Sequence, residues 1–189
     1  MHYLFLGITK WIVKRIWVDE KILTSDALKS IQRNMNQIQV PADLSRIPRK
    51  INCEEGFSNF TTDKWRIFYT IYATISLWEH LSAIDRMILT HFVKVCSILV
   101  GRILELDLVQ EAHERLIKIV KLIEKHYGHD KITLNLHLSL HLWECSYDFS
   151  PLYTFWCFSF ERMNGILGNC SFFFLPIYIT NVLINNEIC

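Results

Sequence analysis

The sequence predicts a mainly α fold, and three features carry the prediction: apolar residues recur every three or four positions, Ser, Thr and Asp stand ahead of those runs, and Pro or Gly closes them. At 189 residues, with 51% hydrophobic and 21% charged side chains, the chain can bury one real core and lies away from disordered compositions. It is short for two large domains.

Residues 1–10 hold an apolar run too short to cross a membrane, without the basic start and small-residue cleavage site of a secretory signal. Thr24 and Ser25 can cap a helix whose apolar positions Leu28, Ile31, Met35 and Ile38 run on to Pro41. Residues 40–60 carry Pro41, Pro48 and Gly56 among Arg46, Arg49 and Lys50, which reads as an extended basic connection with little core of its own. Thr61 offers the next cap, for a helix through Trp65, Phe68, Tyr69 and Tyr72. Ser82, with Asp85 three residues on, has capping-box form and opens a helix carrying Ile88, Phe92, Cys96, Leu99 and Ile103 on one face. Asp107, with Gln110 in the reciprocal position, opens another. Its stripe of Leu108, Ala112, Leu116, Ile119, Ile123 and Tyr127 ends at Gly128, and the pairs Glu111–Arg115 and Glu114–Lys118 support its outer side.

The spacing thus predicts helices over residues 27–38, 84–104 and 108–127. Residues 132–142 alternate leucine with polar side chains in a strand-like period of two, but leucine favours helix and the surroundings are helical, so a helix is expected there. Pro151 closes that element, an aromatic run follows at residues 155–160, and Glu161 opens a last helix.

Twenty Lys and Arg against nineteen Asp and Glu leave a net charge of +1, so no overall field draws the chain to phosphate and any nucleic-acid surface must be local. Arg46, Arg49 and Lys50 form the compact basic cluster, and Lys10, Lys14 and Arg15 a looser one; each suits either a DNA backbone contact or a solvated surface. Trp65, Phe68, Tyr69 and Tyr72 can stack on bases, although their helical spacing makes them core residues first. His137, His141 and Cys145 repeat every four residues, a spacing that lets neighbours on a helix share a zinc ion. On a strand the same spacing spans about 13 Å and forbids it. The alternative for these three is structural packing. Six cysteines without a CxxC pair read as reduced thiols of an intracellular protein, nuclear or cytoplasmic, and not a secreted one.

The motifs MHYLFLGITK, VPADLSRIPRKI with GFSNFTTDKW, and NLHLSLHLWEC followed by SPLYTFWCFSFERMNGILG together resemble the C-terminal half of CACTA-like DDE transposases, the transposase domain-containing family, over about residues 1–168. The resemblance implies a ribonuclease H-like core interrupted by a helical insertion. In that family three carboxylates hold two divalent ions, Mg²⁺ or Mn²⁺, which activate a water or a 3′ hydroxyl and stabilise the leaving oxygen of phosphoryl transfer.

Carried onto this chain, the resemblance makes residues 1–150 the helical insertion and residues 151–168 a C-terminal stub of the ribonuclease H-like core. Residues 169–189 form a divergent tail outside the ordered fold, read as foreign sequence from a misplaced gene boundary. Glu161, in the Phe-Glu-Arg motif, matches the third metal-binding acid, and an exposed Glu opening a helix is its alternative. Arg162 beside it either contacts phosphate or pairs with an acid. The family opens on Asp, a variable residue and Met-His, whereas Met1-His2 begins this chain, so the second acid and the first are expected upstream of it. The expectation is therefore a truncated fragment without activity or bound metal of its own. Its partners would be DNA at transposon ends, the missing transposase segment or a second copy, and no membrane. The rival reading is a non-catalytic helical module, derived from a transposon, that binds DNA or protein.

Overall fold

The predicted helix starts at Thr24, Thr61 and Ser82 each carry a side-chain cap in the computed structural model, which describes residues 3–39, 51, 57, 60–101, 103 and 105–149. Ala27 N–H donates to Thr24 Oγ1 at 3.2 Å, Lys64 N–H to Thr61 Oγ1 at 3.4 Å and Asp85 N–H to Ser82 Oγ at 3.2 Å. Each of these bonds satisfies a backbone donor that the first helical turn leaves without a partner. The helices so opened are α1 (Ser25–Gln37), α2 (Thr62–Ile67), which a π-helical turn Phe68–Tyr72 continues into α3 (Ala73–Leu77), and α4 (Ala83–Leu99). Then follow α5 (Leu106–Tyr127), α6 (Leu134–Ser139), capped by Thr133, and α7 (Leu142–Phe149). The protein is mainly helical, and the described residues include no β-strand. All of them belong to one compact unit spanning Met1–Thr154.

Ahead of α1 lies a rod of two π-helical segments, Tyr3–Thr9 and Ile12–Val18, joined through Lys10 and Trp11. Its burial pattern explains its winding. Leu4, Phe5, Ile8, Thr9, Ile12, Val13, Ile16 and Trp17 are buried as pairs every four residues, and the intervening pairs are not. An α-helix with 3.6 residues per turn would carry a strict four-residue repeat steadily around its axis. The i→i+5 bonding of π-helix puts more residues in a turn and keeps the paired stripe on one side. Asp19 N–H bonds Lys14 O at 2.9 Å in that register, and Thr9 Oγ1 reaches back to Leu4 O at 3.3 Å.

The centre of the unit is the antiparallel pair α4 and α5: Tyr127 at the end of α5 meets Asp85 at the start of α4, and Arg115 meets His91 between them. On α5 the buried positions Val109, Ala112, Leu116, Ile119 and Ile123 alternate spacings of three and four, an ordinary α stripe. The N-terminal rod packs on α2 and α6, α3 on α4, α1 on α3, and α7 on α5. Rings of Phe57, Phe60, Trp65, Phe68, Tyr69 and Phe92 run on from one another at centroid separations of 5.0 to 6.0 Å, mostly edge to face. Trp65, Phe68, Tyr69 and Tyr72 are therefore core residues and offer no face to a base.

Several expectations need correction. The helix expected over residues 84–104 stops at Leu99, with Gly101 just past its end, and Ile103, assigned to the buried face, is 82% exposed. Glycine's backbone freedom favours a helix end over continuation. The helix expected from Asp107 starts at Leu106, with Glu105 as an N-cap that makes no side-chain bond; Asp107 falls in the first turn, where an acid suits the dipole. The connection over residues 40–60 does contribute to the core, through buried Ile51, Phe57 and Phe60. Gln32, itself buried, receives Ile51 N–H at 2.7 Å and ties that connection to α1. The leucine alternation at residues 132–142 is helical, as expected, but in two pieces, α6 and the first residue of α7, separated by a turn at Leu140 and His141.

Candidate nucleic-acid interface

Of the residues to which the sequence assigns a role, Glu161, Arg162, Arg46, Arg49 and Lys50 lie outside the described residues, as do the segments 151–168 and 169–189. His137, His141 and Cys145 are described. The break after Ser139 places His137 in α6, while Cys145 N–H bonds His141 O at 3.1 Å, so His141 opens α7. The continuous helix on which a shared ion depended is thus interrupted. The two imidazole rings still meet edge to face at 5.5 Å, and His141 Nδ1 pairs with Glu144 Oε2 at 2.9 Å. Among the described residues no three His, Cys, Asp or Glu side chains form a group that could hold a metal ion. Both histidines are exposed on this unit.

The looser basic cluster fares differently. Because the inward pairs of the N-terminal rod repeat every four residues, the outward pairs do too, and Leu6-Gly7, Lys10-Trp11 and Lys14-Arg15 line one stripe. With Asp19 and with Asn135 of α6 they form an open cleft of about 480 Å³. Gly7 permits the close approach of α6, since a Cβ there would stand 3.0 Å from Asn135 Nδ2. Arg15 pairs with Asp19 at 3.0 Å in the open, where such a pair adds little and yields readily to a better anion. Lys10, Lys14, Arg15 and Asp19 thus line the groove together with the Trp11 indole and the Asn135 amide.

A second, smaller cleft of about 240 Å³ lies between the start of α5 and α7, lined by Leu106, Asp107, Val109, Gln110, Trp143, Ser146 and Tyr147. Leu106 and Tyr147 are each 67% exposed, which makes this a largely apolar surface.

No protein-family model, curated protein or solved structure matched the chain.

One group of polar residues escaped sequence reasoning in every respect but its cap. Asp85, 1% exposed, accepts Trp17 Nε1–H at 2.8 Å and Tyr127 O–H at 2.6 Å on Oδ1, and Ser82 O–H at 2.6 Å on Oδ2. This buried carboxylate joins the N-terminal rod, α4 and α5, so it holds the basic stripe against the central helix pair. Burial, and then the hydrogen bond to Asp85, raise the Tyr127 phenol well above its ordinary range. The only sequence signal was an acid at N3 of a predicted capping box; in place of the usual reach back to the cap's backbone, Asp85 takes the Ser82 hydroxyl. No described helix is long and apolar enough to cross a membrane.

Proposed function

We propose that the chain is a fragment of a CACTA-like DDE transposase. In this reading residues 1–150 are the helical insertion of an interrupted ribonuclease H-like core, and Glu161 is the third of the three acids that hold Mg²⁺ or Mn²⁺ in the full-length enzyme. The observation that carries it is the order of the five motif blocks along residues 1–168, and the mainly helical character of the described residues suits an insertion. Arg46, Arg49, Lys50 and Arg162 are the residues assigned to DNA, with transposon ends as the partner and the nucleus or cytoplasm as the place of action. In this reading all three acids are needed to hold the two ions in catalytic geometry. The test is complementation: the upstream half of a CACTA-like transposase, carrying the other two acids, is mixed with this chain and Mg²⁺-dependent cleavage of a transposon end is measured. Cleavage that disappears with Glu161→Gln supports the reading; cleavage indifferent to Glu161, or none, refutes it.

A second reading is a non-catalytic helical interaction module derived from a transposon. It is favoured by the closure of the Met1–Thr154 unit on a core of its own, with Asp85 linking residues 17, 82 and 127.

A further inference from the structure

We propose that the cleft between the start of α5 and α7 binds a methylated ammonium group, with the cation on the faces of Trp143 and Tyr147 and its charge balanced by Asp107. The inference goes beyond the transposase reading and does not rest on it, because it uses only these two helices. Three observations support it. Trp143 and Tyr147, one turn apart on α7, hold their rings 6.2 Å apart at 49°, and His113 of α5 meets Trp143 at 6.0 Å and 43°. Rings tilted so far at that spacing do not cover one another's faces, and both rings of α7 are exposed. Asp107 lines the same cleft and forms no hydrogen bond or ion pair among the described residues. Residues 103–114 and 142–149 hold Glu105, Glu111, Glu114, Glu144 and Asp148 besides it and no Lys or Arg, so these two stretches are acidic in a chain whose net charge is +1.

That charge turns away an anion, phosphate included, and a purely apolar ligand would leave Asp107 without a partner in the cleft. Between cations, the lining decides. A bare ammonium is strongly hydrated and carries three donors, so it needs several acceptors in exchange for water. Glu111 is held by Arg115 at 2.7 Å and Glu144 by His141 at 2.9 Å, and the Ser146 hydroxyl donates to Leu142 O at 2.8 Å, which leaves Asp107 and the Gln110 amide. A methylated ammonium spreads the same charge over a carbon shell, gives up less hydration, and draws its attraction from ring faces within about 6 Å. The cleft, at about 240 Å³, admits such a head group together with the first carbons of the chain that bears it. A methylated lysine side chain and a free choline-like molecule present this same group.

The experiment is fluorescence anisotropy of the full chain with a labelled glycine-alanine peptide carrying one trimethyllysine. Beside it stand the unmodified lysine peptide, a peptide with the neutral tert-butyl isostere of that side chain, and choline, which is added as competitor and titrated alone by calorimetry. The trimethyllysine peptide binds roughly 2- to 30-fold more tightly than the neutral isostere, the range for a cation on exposed to desolvated rings. Trp143→Leu, at an exposed position, keeps an apolar surface but removes the π face and weakens binding by a similar factor. Asp107→Asn weakens it by up to about 5-fold, a loss that high salt erases. Both variants keep the helical circular-dichroism signal. Strong competition by choline assigns the site to a small molecule and poor competition assigns it to a lysine side chain, and either result agrees with the chemistry. Absence of binding by both peptide and choline, equal affinity for the neutral isostere, tighter binding of unmodified lysine, or affinity unchanged by both Trp143→Leu and Asp107→Asn in folded protein would each overturn the proposal. So would a dimer in sedimentation that Tyr147→Leu dissociates, since the cleft would then belong to a second copy. None of these outcomes bears on cleavage through Glu161.

Discussion

Replacing Asp85 separates two accounts of its role, as one more helix cap or as the joint between distant elements. In Asp85→Ala the Trp17 N–H, on a fully buried side chain, loses its acceptor, which costs about 1–3 kcal/mol. Tyr127 is partly open and recovers some hydration, so its share is about 1 kcal/mol, and the exposed Ser82 hydroxyl re-solvates at little cost. Adding the vacated space under α4 gives about 3–5 kcal/mol, a large part of the stability of a unit this size. Asp85→Asn should behave otherwise. Trp17 and Tyr127 both donate to Oδ1, which an amide carbonyl can replace, while its NH₂ can donate to Ser82 Oγ, so only charge assistance is lost, about 1 kcal/mol.

Urea unfolding followed by circular dichroism reads the difference directly. At a slope of about 2 kcal/mol per M, Asp85→Ala lowers the midpoint by roughly 2 M and Asp85→Asn by roughly 0.5 M. A simple cap would give both substitutions the same loss of about 1 kcal/mol. Equal midpoints for the two variants would refute the joint, as would a Trp17→Phe/Asp85→Ala double variant whose losses simply add.

Three further outcomes follow from the same geometry. Because folding raises the Tyr127 phenol, its contribution is fully present below the ordinary tyrosine range and is lost as pH rises through the folded value; alkaline unfolding should therefore shift to higher pH in Tyr127→Phe, and an unchanged profile counts against it. Burial raises the Cys96 thiol and hides it, so iodoacetamide mapped by mass spectrometry should leave Cys96 unmodified in native protein while half-buried Cys145 reacts; early labelling of Cys96 contradicts its place in the core. Gly128 closes α5 at φ 97°, and an added Cβ would lie 2.6 Å from Asp130 Oδ1, so Gly128→Ala should destabilise by about 1 kcal/mol or more in the same urea assay, and a neutral result refutes the assignment.

Legibility in the sequence followed how local each cause was. The caps at Thr24, Thr61 and Ser82 depend on a hydroxyl and a backbone N–H three residues on, and they could be read from a few letters. The stripe of α5 repeats for 22 residues and was equally plain. The end of α4 is harder to read, because the apolar pattern runs past Leu99 as far as Ile103 and only Gly101 opposes it. Asp85 could not have been read as a joint, since its donors Trp17 and Tyr127 lie 68 and 42 residues away. What the letters did offer was an acid inside a run that is otherwise apolar on that face. The period of four in His137, His141 and Cys145 is real, but the chain turns at Leu140 and His141, a break that the spacing alone does not announce.

The N-terminal rod shows how a core pattern and a surface pattern can be one property. A search for periods of 3.6 or 2 finds neither in residues 4–19, because the buried residues come in pairs at intervals of four. Winding the rod as π-helix keeps those pairs on the core, at the expense of the better hydrogen-bond geometry of α-helix. It also aligns the remaining pairs, and that alignment is what draws Lys10, Lys14 and Arg15 into a single stripe with Trp11 among them. In α-helical winding the same pairs would drift by about 40° at each step of four, so the stripe would turn gradually around the axis. The basic cluster is loose in sequence and ordered in space for the same reason that Leu4, Ile8, Ile12 and Ile16 are buried, so the groove rests on the core beneath it. That core is in turn held to α4 and α5 through Trp17 and Asp85.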